Sequence, residues 1–150
     1  MPRWRILPLF AILLLACGCG SGAPFDMAPV GGKLSYKDGS LVKGDRIVIT
    51  FIPQGIEAQG KAAAGAARVE VDPSTGVFGN ATTTKMADGV VVAKHKVVVQ
   101  AFKTGPGGHS IPNKAIAADY ESNEKTPLEF EIPSGGNTNL DIQVEKPTRR

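Results

Sequence analysis

The feature that most constrains this chain is an apolar–polar alternation with period two that begins near residue 30 and recurs almost to its end. Leu34 and Tyr36 alternate with Lys33, Ser35 and Lys37, and Ala67, Val69 and Val71 with Arg68, Glu70 and Asp72. Leu128, Phe130 and Ile132 alternate with Glu129 and Glu131, and Leu140, Ile142 and Val144 with Asp141, Gln143 and Glu145. Successive side chains of a strand point to opposite faces, so each segment reads as a strand with one face on a core and one in water. Ile47–Ile52 and Val97–Phe102 are apolar on both faces and are expected to be central strands; Val77–Ala81 and Val90–Val92 are shorter candidates. Turn-forming clusters punctuate the runs: Lys37-Asp38-Gly39-Ser40, Asp72-Pro73-Ser74-Thr75-Gly76, Ala87-Asp88-Gly89 and Pro133-Ser134-Gly135-Gly136-Asn137. The pattern predicts an all-β domain, a single antiparallel β-sandwich of about seven or eight strands. Ala115–Glu121 has helical composition for two turns at most, and Gly65 interrupts the Ala-rich run 62–67. Lys103–Ala115, which contains Thr-Gly-Pro-Gly-Gly-His-Ser-Ile-Pro, is expected to be the longest loop and the place for a binding function.

The first 29 residues follow a different logic. Arg3 and Arg5 precede an apolar run, Ile6–Ala16, broken only by Pro8. That run is far shorter than the ~20 residues a helix needs to cross a bilayer, and its charged head and small-residue end match a secretory signal. It closes on Leu14-Leu15-Ala16-Cys17-Gly18. This resembles the bacterial lipobox, which implies diacylglyceryl transfer to the Cys17 thiol and cleavage before it. Cys19 is the competing attachment point, but Ala16-Cys17-Gly18 ahead of it lacks the branched residue, so Cys17 is preferred. More than one acyl chain anchors stably, because each buried CH₂ contributes about 0.8 kcal/mol. Gly18 resembles the pattern released to the outer membrane in a two-membrane host. The expected organisation is a signal peptide over 1–16, the lipidated Cys and a flexible tether over 17–29, the β-sandwich over 30–146 and a disordered tail over 147–150.

Charge and composition narrow the function classes. Of 17 Lys and Arg, two fall in the expected signal, leaving 15 against 14 Asp and Glu. A near-neutral domain has no nucleic-acid footprint. The single Trp, Trp4, also lies in the signal, which weakens any base-stacking or sugar-stacking surface. The two cysteines of the chain stand at 17 and 19, so the domain beyond them has no internal disulfide and must be held by packing.

Several strand and turn motifs carry a family likeness. Gly32-Lys33-Leu34, Asp38-Gly39-Ser40-Leu41 and Ile47-Val48-Ile49-Thr50-Phe51-Ile52-Pro53 resemble the opening of carboxypeptidase-regulatory-like, transthyretin-like domains of small bacterial lipoproteins. Asp72–Gly76 with Val77-Phe78 resembles that family's acidic turn and Gly-x-Phe strand. His95-Lys96-Val97-Val98-Val99 stands where the family usually has Gly-x-Tyr-x-Val, with His95 in the place of the aromatic. Ile111-Pro112, Tyr120 and Thr126-Pro127-Leu128 resemble the tail of such lipoproteins. The likeness spans about 30–145. It implies a lipid-anchored module of the cell envelope and says almost nothing of a ligand. The fold also hosts a hydroxyisourate hydrolase, whose His and Arg set and Tyr-Arg-Gly-Ser terminus have no counterpart here.

No catalytic or metal-binding set is assigned. His95 and His109 are the only histidines, neither has a second ligand at metal-site spacing, and both are expected at the surface. His109-Ser110 are neighbours without a triad, no Gly-x-Ser-x-Gly elbow exists, and Gly105-Pro106-Gly107-Gly108 lacks the Gly-Lys-Ser/Thr ending of a phosphate loop. Glu121, Glu124, Glu129 and Glu131 lack the Asp/Asn-and-Gly loop that calcium requires. Lys33 and Asn139, on the first and last strands, could be bridged by an isopeptide bond if a buried acid lay beside them. The expectation is a non-enzymatic binding or structural module without cofactor or metal, presenting loops to an envelope protein or polysaccharide. The alternative is a small enzyme or ligand carrier with a site assembled around His109 and Tyr120.

Overall fold

The computed structural model describes residues 24–58 and 63–148. Ten strands lie among them: β1 (Met27–Ala28), β2 (Val30–Tyr36), β3 (Arg46–Gln54), β4 (Ala67–Val71), β5 (Val77–Phe78), β6 (Val90–Val91), β7 (Ala93–Thr104), β8 (Ser110–Pro112), β9 (Glu129–Ile132) and β10 (Asn137–Val144). The alternation predicted from sequence is visible in the burial. β4 buries Ala67, Val69 and Val71 and exposes Arg68 and Glu70, and β10 buries Leu140, Ile142 and Val144 with polar residues between them. The two runs that are apolar on both faces do become central. β3 lies between β4 and β7, and β7 carries β3 on one edge and both β8 and β9 on the other.

The main sheet has eight strands in the order β10-β2-β5-β4-β3-β7-β8, with β9 also on β7, and it curls into a half-barrel. β1 and β6 form a separate antiparallel pair. One expectation is corrected here. The sheet is mixed, because β10 runs parallel to β2, with Ile142 opposite Leu34 and Val144 opposite Tyr36. Period-two patterning reports which face of a strand is wet but not the direction of its neighbour. The chain path explains the direction. β9 runs antiparallel to β7, and residues 133–136 then carry the chain across to β2 at the opposite edge of the sheet. The five Cα steps from Ile132 to Asn137 span at most about 18 Å. The two edges must therefore approach each other, and the sheet must curl.

Inside the curl the core is aliphatic with few rings. Ile49, Phe51, Val97, Val99, Ile142 and Val144 are all fully buried. The segment after β8 covers the open side. Ile116 is buried, the Ala117 N–H donates to the Glu145 carbonyl at 2.9 Å, and a 3₁₀ turn over Ala118–Glu121 buries Tyr120. This turn is what the predicted helical stretch becomes.

Three further expectations change. Residues 27–29, assigned by sequence to the tether, belong to the folded domain: Ala28 is buried, and the Val92 N–H donates to the Asp26 carbonyl at 2.8 Å. Lys103–Ala115 is not one long loop. It begins as the end of β7, turns through a short 3₁₀ segment at Pro106–Gly108, and returns as β8. The Gly- and Pro-rich composition that suggests a loop instead builds a hairpin tip, because Gly107 and Gly108 adopt φ of 82° and 79° that other residues avoid. His95, expected at the surface, is 1% exposed.

The strands give the domain two ends. β2, β7 and β10 start, and β3 finishes, at the end where the chain enters through residues 24–26. The turns after β2, β4 and β7 and the segment after β10 gather at the far end. β2 alone, at about 3.3 Å per residue, separates the two ends by roughly 20 Å.

Candidate functional site

Cys17, Cys19 and the expected signal lie outside the described residues, as do 149–150. Among the described residues no helix is long and apolar enough to cross a membrane, and no group of three or more His, Cys, Asp or Glu is placed to hold a metal ion.

A cleft of about 560 Å³ opens at the far end, lined among others by Tyr36, Ser40, Lys43, Asn113, Ala115 and Lys146. The parallel β2–β10 pair bounds it on one side, through Tyr36 at the end of β2 and Lys146 just past β10. Register sets Val144 beside Tyr36, so the residues leaving the two strands emerge side by side and pair: Lys37 Nζ lies 2.5 Å from Glu145 Oε1, and Lys146 Nζ 2.5 Å from Asp38 Oδ2. The Lys146 ammonium also sits 5.0 Å from the centre of the Tyr36 ring, a cation–π distance. Tyr36 is buried, and its hydroxyl donates to the Ala115 carbonyl at 2.8 Å, which ties β2 to the covering segment. Across the cleft the Asn113 amide donates to the Lys43 carbonyl at 3.2 Å. The Lys43 ammonium has no ion-pair partner among the described residues.

The ionisation of these groups follows from their partners. Lys146 beside Asp38, aided by the hydroxyl and N–H of Ser40, holds the Asp38 carboxyl well below the usual carboxylate range. Glu145 raises the Lys37 ammonium above its ordinary value and is itself lowered by Lys37. Ser40 donates its hydroxyl to Asp38 Oδ1 at 2.5 Å. The cleft offers a fixed aromatic edge, one unpaired cation and polar donors. Such groups can hold a polar or anionic surface group.

The structure does not unite the residues of the alternative sequence reading. His109 is exposed at the β7–β8 tip, against Gly105 and Gly107. Tyr120 is buried, with its hydroxyl near Lys37 and Glu145. Neither lines the far-end cleft. His95 faces inward because its phase on β7 is that of Val97 and Val99, while Lys94 and Lys96 point to the other face. Its ring stands edge-on to Phe51 at 6.1 Å, and Nδ1 is 3.0 Å from the Ala93 carbonyl, so Nδ1 carries the proton. Burial lowers its pKa, against the raising effect of that bond. Lys33 and Asn139 border a shallow cleft of about 500 Å³ along β2 and β10. Both are exposed, and the carboxylate opposite Lys33 in register, Asp141, is exposed too, so the buried acid an isopeptide bond needs is absent there.

Sequence reasoning marked Ala87-Asp88-Gly89 as a turn but missed how Asp88 organises the loop from Thr82 to Gly89. Asp88 accepts the N–H groups of Thr83, Thr84 and Lys85 at 2.6, 3.0 and 2.9 Å and the Thr84 hydroxyl at 2.9 Å. Partial burial pushes its carboxyl up, but these bonds outweigh burial and hold it well below the carboxylate range. Three threonines followed by Asp-Gly were the available signal, since such side chains bond to nearby backbone.

Comparison with family models, with curated proteins and with solved structures finds no match to the chain. The fold and site define a small, mostly-β domain without an obvious catalytic metal, aromatic or cysteine cluster among the described residues.

Proposed function

We propose that the chain is a lipid-anchored, extracytoplasmic binding or structural module, non-catalytic, which presents its far end to an envelope protein or polysaccharide. The observation that carries this reading is the polarity of the domain. The chain enters at one end, seven residues after Cys17, and the cleft with the unpaired Lys43 lies at the other. An anchor at Cys17 would turn that cleft away from the membrane. The lipobox-like Leu14-Leu15-Ala16-Cys17 supports the anchor, and the strand and turn motifs from Gly32 to Phe78 support the transthyretin-like assignment.

The test is photo-crosslinking in intact cells, with a photoreactive residue placed at Lys43, at His109, or at Val77 on the side of the sheet. A discrete envelope adduct is expected from position 43 and not from 77. Equal adducts from both positions, or none from 43, would reject the far end as the presented surface.

A further inference from the structure

We propose that the 82–89 loop is a second membrane contact, which seats Met86 in the interfacial layer of the same bilayer that holds the N-terminal lipid. The inference rests on the lipid-anchor reading and adds to it an orientation of the domain.

Three observations meet at this loop. The first is exposure: Met86 is 93% exposed, the most exposed of the large apolar side chains described, and Lys85 beside it is exposed as well. The second is that the loop is built to hold this posture. Asp88 gathers the backbone of Thr83, Thr84 and Lys85, the Asn80 amide donates to the Ala87 carbonyl at 2.7 Å, and the Ala87 N–H donates to the Thr82 hydroxyl at 3.0 Å. Ala87 adopts φ of 56°, a conformation rare for a residue with a Cβ. These bonds hold the backbone on both sides of Met86 and so keep that position at the outer tip of the loop.

The third observation is position. Gly89 packs against Ala28, Val90 and Val91 pair with Ala28 and Met27, and Val92 bonds to Asp26, so the loop continues directly into the strand beside the entering chain. From Ala28 back to Pro24 is four residues, roughly 13 Å of extended chain. The connection from Cys17 to Pro24 is seven Cα steps and spans at most about 25 Å. A lipid on Cys17 therefore keeps this end of the domain within reach of the headgroups. A thioether side chain can enter that layer, and an adjacent ammonium can meet lipid phosphate.

On the proposed reading the mature chain begins at Cys17 and has lost Trp4, the only Trp, so an introduced Trp is a unique reporter. The lipidated full-length product carrying Met86→Trp, and in parallel His109→Trp, is reconstituted into phosphatidylethanolamine–phosphatidylglycerol vesicles with bromine near the headgroup end of the acyl chains. The Met86→Trp emission is expected to shift to the blue and lose most of its intensity, while the His109→Trp emission stays water-like. Equal, water-like emission from both variants on protein that floats with the vesicles overturns the second contact and leaves the anchor standing. Protein that does not float rejects the anchor, and this proposal falls with it. A blue shift that appears only with added envelope protein and is not quenched by bromolipid assigns the loop to a protein partner and also overturns the lipid contact.

Discussion

Replacing Phe51 with alanine tests whether the curled sheet closes over its interior as described. Phe51 lies on the inner face of β3, is fully buried, and meets the Phe78 ring at 6.4 Å and the His95 ring at 6.1 Å. Relative to alanine the substitution removes roughly 120 Å² of buried ring, about 3 kcal/mol at ~25 cal/mol per Å². The unfilled cavity and the two lost aromatic contacts carry the total to about 3–5 kcal/mol. A domain of this size has a stability of about 5–15 kcal/mol, so the variant should remain folded at 20 °C but melt roughly 10–20 °C lower. Urea titration followed by far-UV circular dichroism measures the difference, and an unchanged slope shows that the unfolded reference is the same. Phe51→Leu, which refills most of the space, should cost about 1.5 kcal/mol or less. A loss below about 1 kcal/mol for the alanine variant would mean that the ring faces water and the β3 register is wrong.

His95 and Asp88 should each leave a mark on the pH dependence of stability. His95 is held below its ordinary value of 6.5 by burial, so above that pH both folded and unfolded states are neutral there. As pH falls below 6.5 the unfolded chain takes the proton first, and stability is lost until the folded-state value is passed. His95→Phe keeps a ring against Phe51 and removes this loss, so its advantage over the parent should grow between pH 7.5 and pH 5 in paired urea titrations; a constant gap would contradict the buried neutral imidazole. Asp88→Ala deletes the acceptor of four hydrogen bonds and should cost about 2–4 kcal/mol at pH 7. Because the Asp88 pKa is lowered, that stabilisation is complete above about 3.8 and lost as pH falls below it, so the variant and the parent should converge in acid. Parallel curves down to pH 2 would show that the carboxylate does not hold the loop.

The strands were legible in the sequence wherever one face is wet and the other dry, because alternation is a local signal. Val69 between Arg68 and Glu70 needs no knowledge of the rest of the chain. The same locality misleads at His95, where the flanking Lys94 and Lys96 suggest a wet stretch although period two sends them to the opposite face. At Gly105–Gly108 composition suggests a loop, and only the backbone angles and the pairing of Lys103 with Ile111 reveal a hairpin. The far-end cleft was not legible. The ion pairs beside it, Lys37 with Glu145 and Lys146 with Asp38, join residues 108 apart in sequence and exist only because β10 lies parallel to β2. Strand direction is decided by how the chain crosses the end of the curl, and no residue within β10 records it.

The anchor gives the two ends of the domain their meaning, and it is tested most directly by mass spectrometry of the N-terminal peptide of the protein purified from membranes. The account predicts a peptide that begins at Cys17 and carries a diacylglyceryl group on its sulfur, and it predicts that Cys17→Ser abolishes both the modification and retention in the membrane fraction. A peptide that begins elsewhere with an unmodified thiol, or a Cys17→Ser protein that stays lipid-labelled, would contradict it.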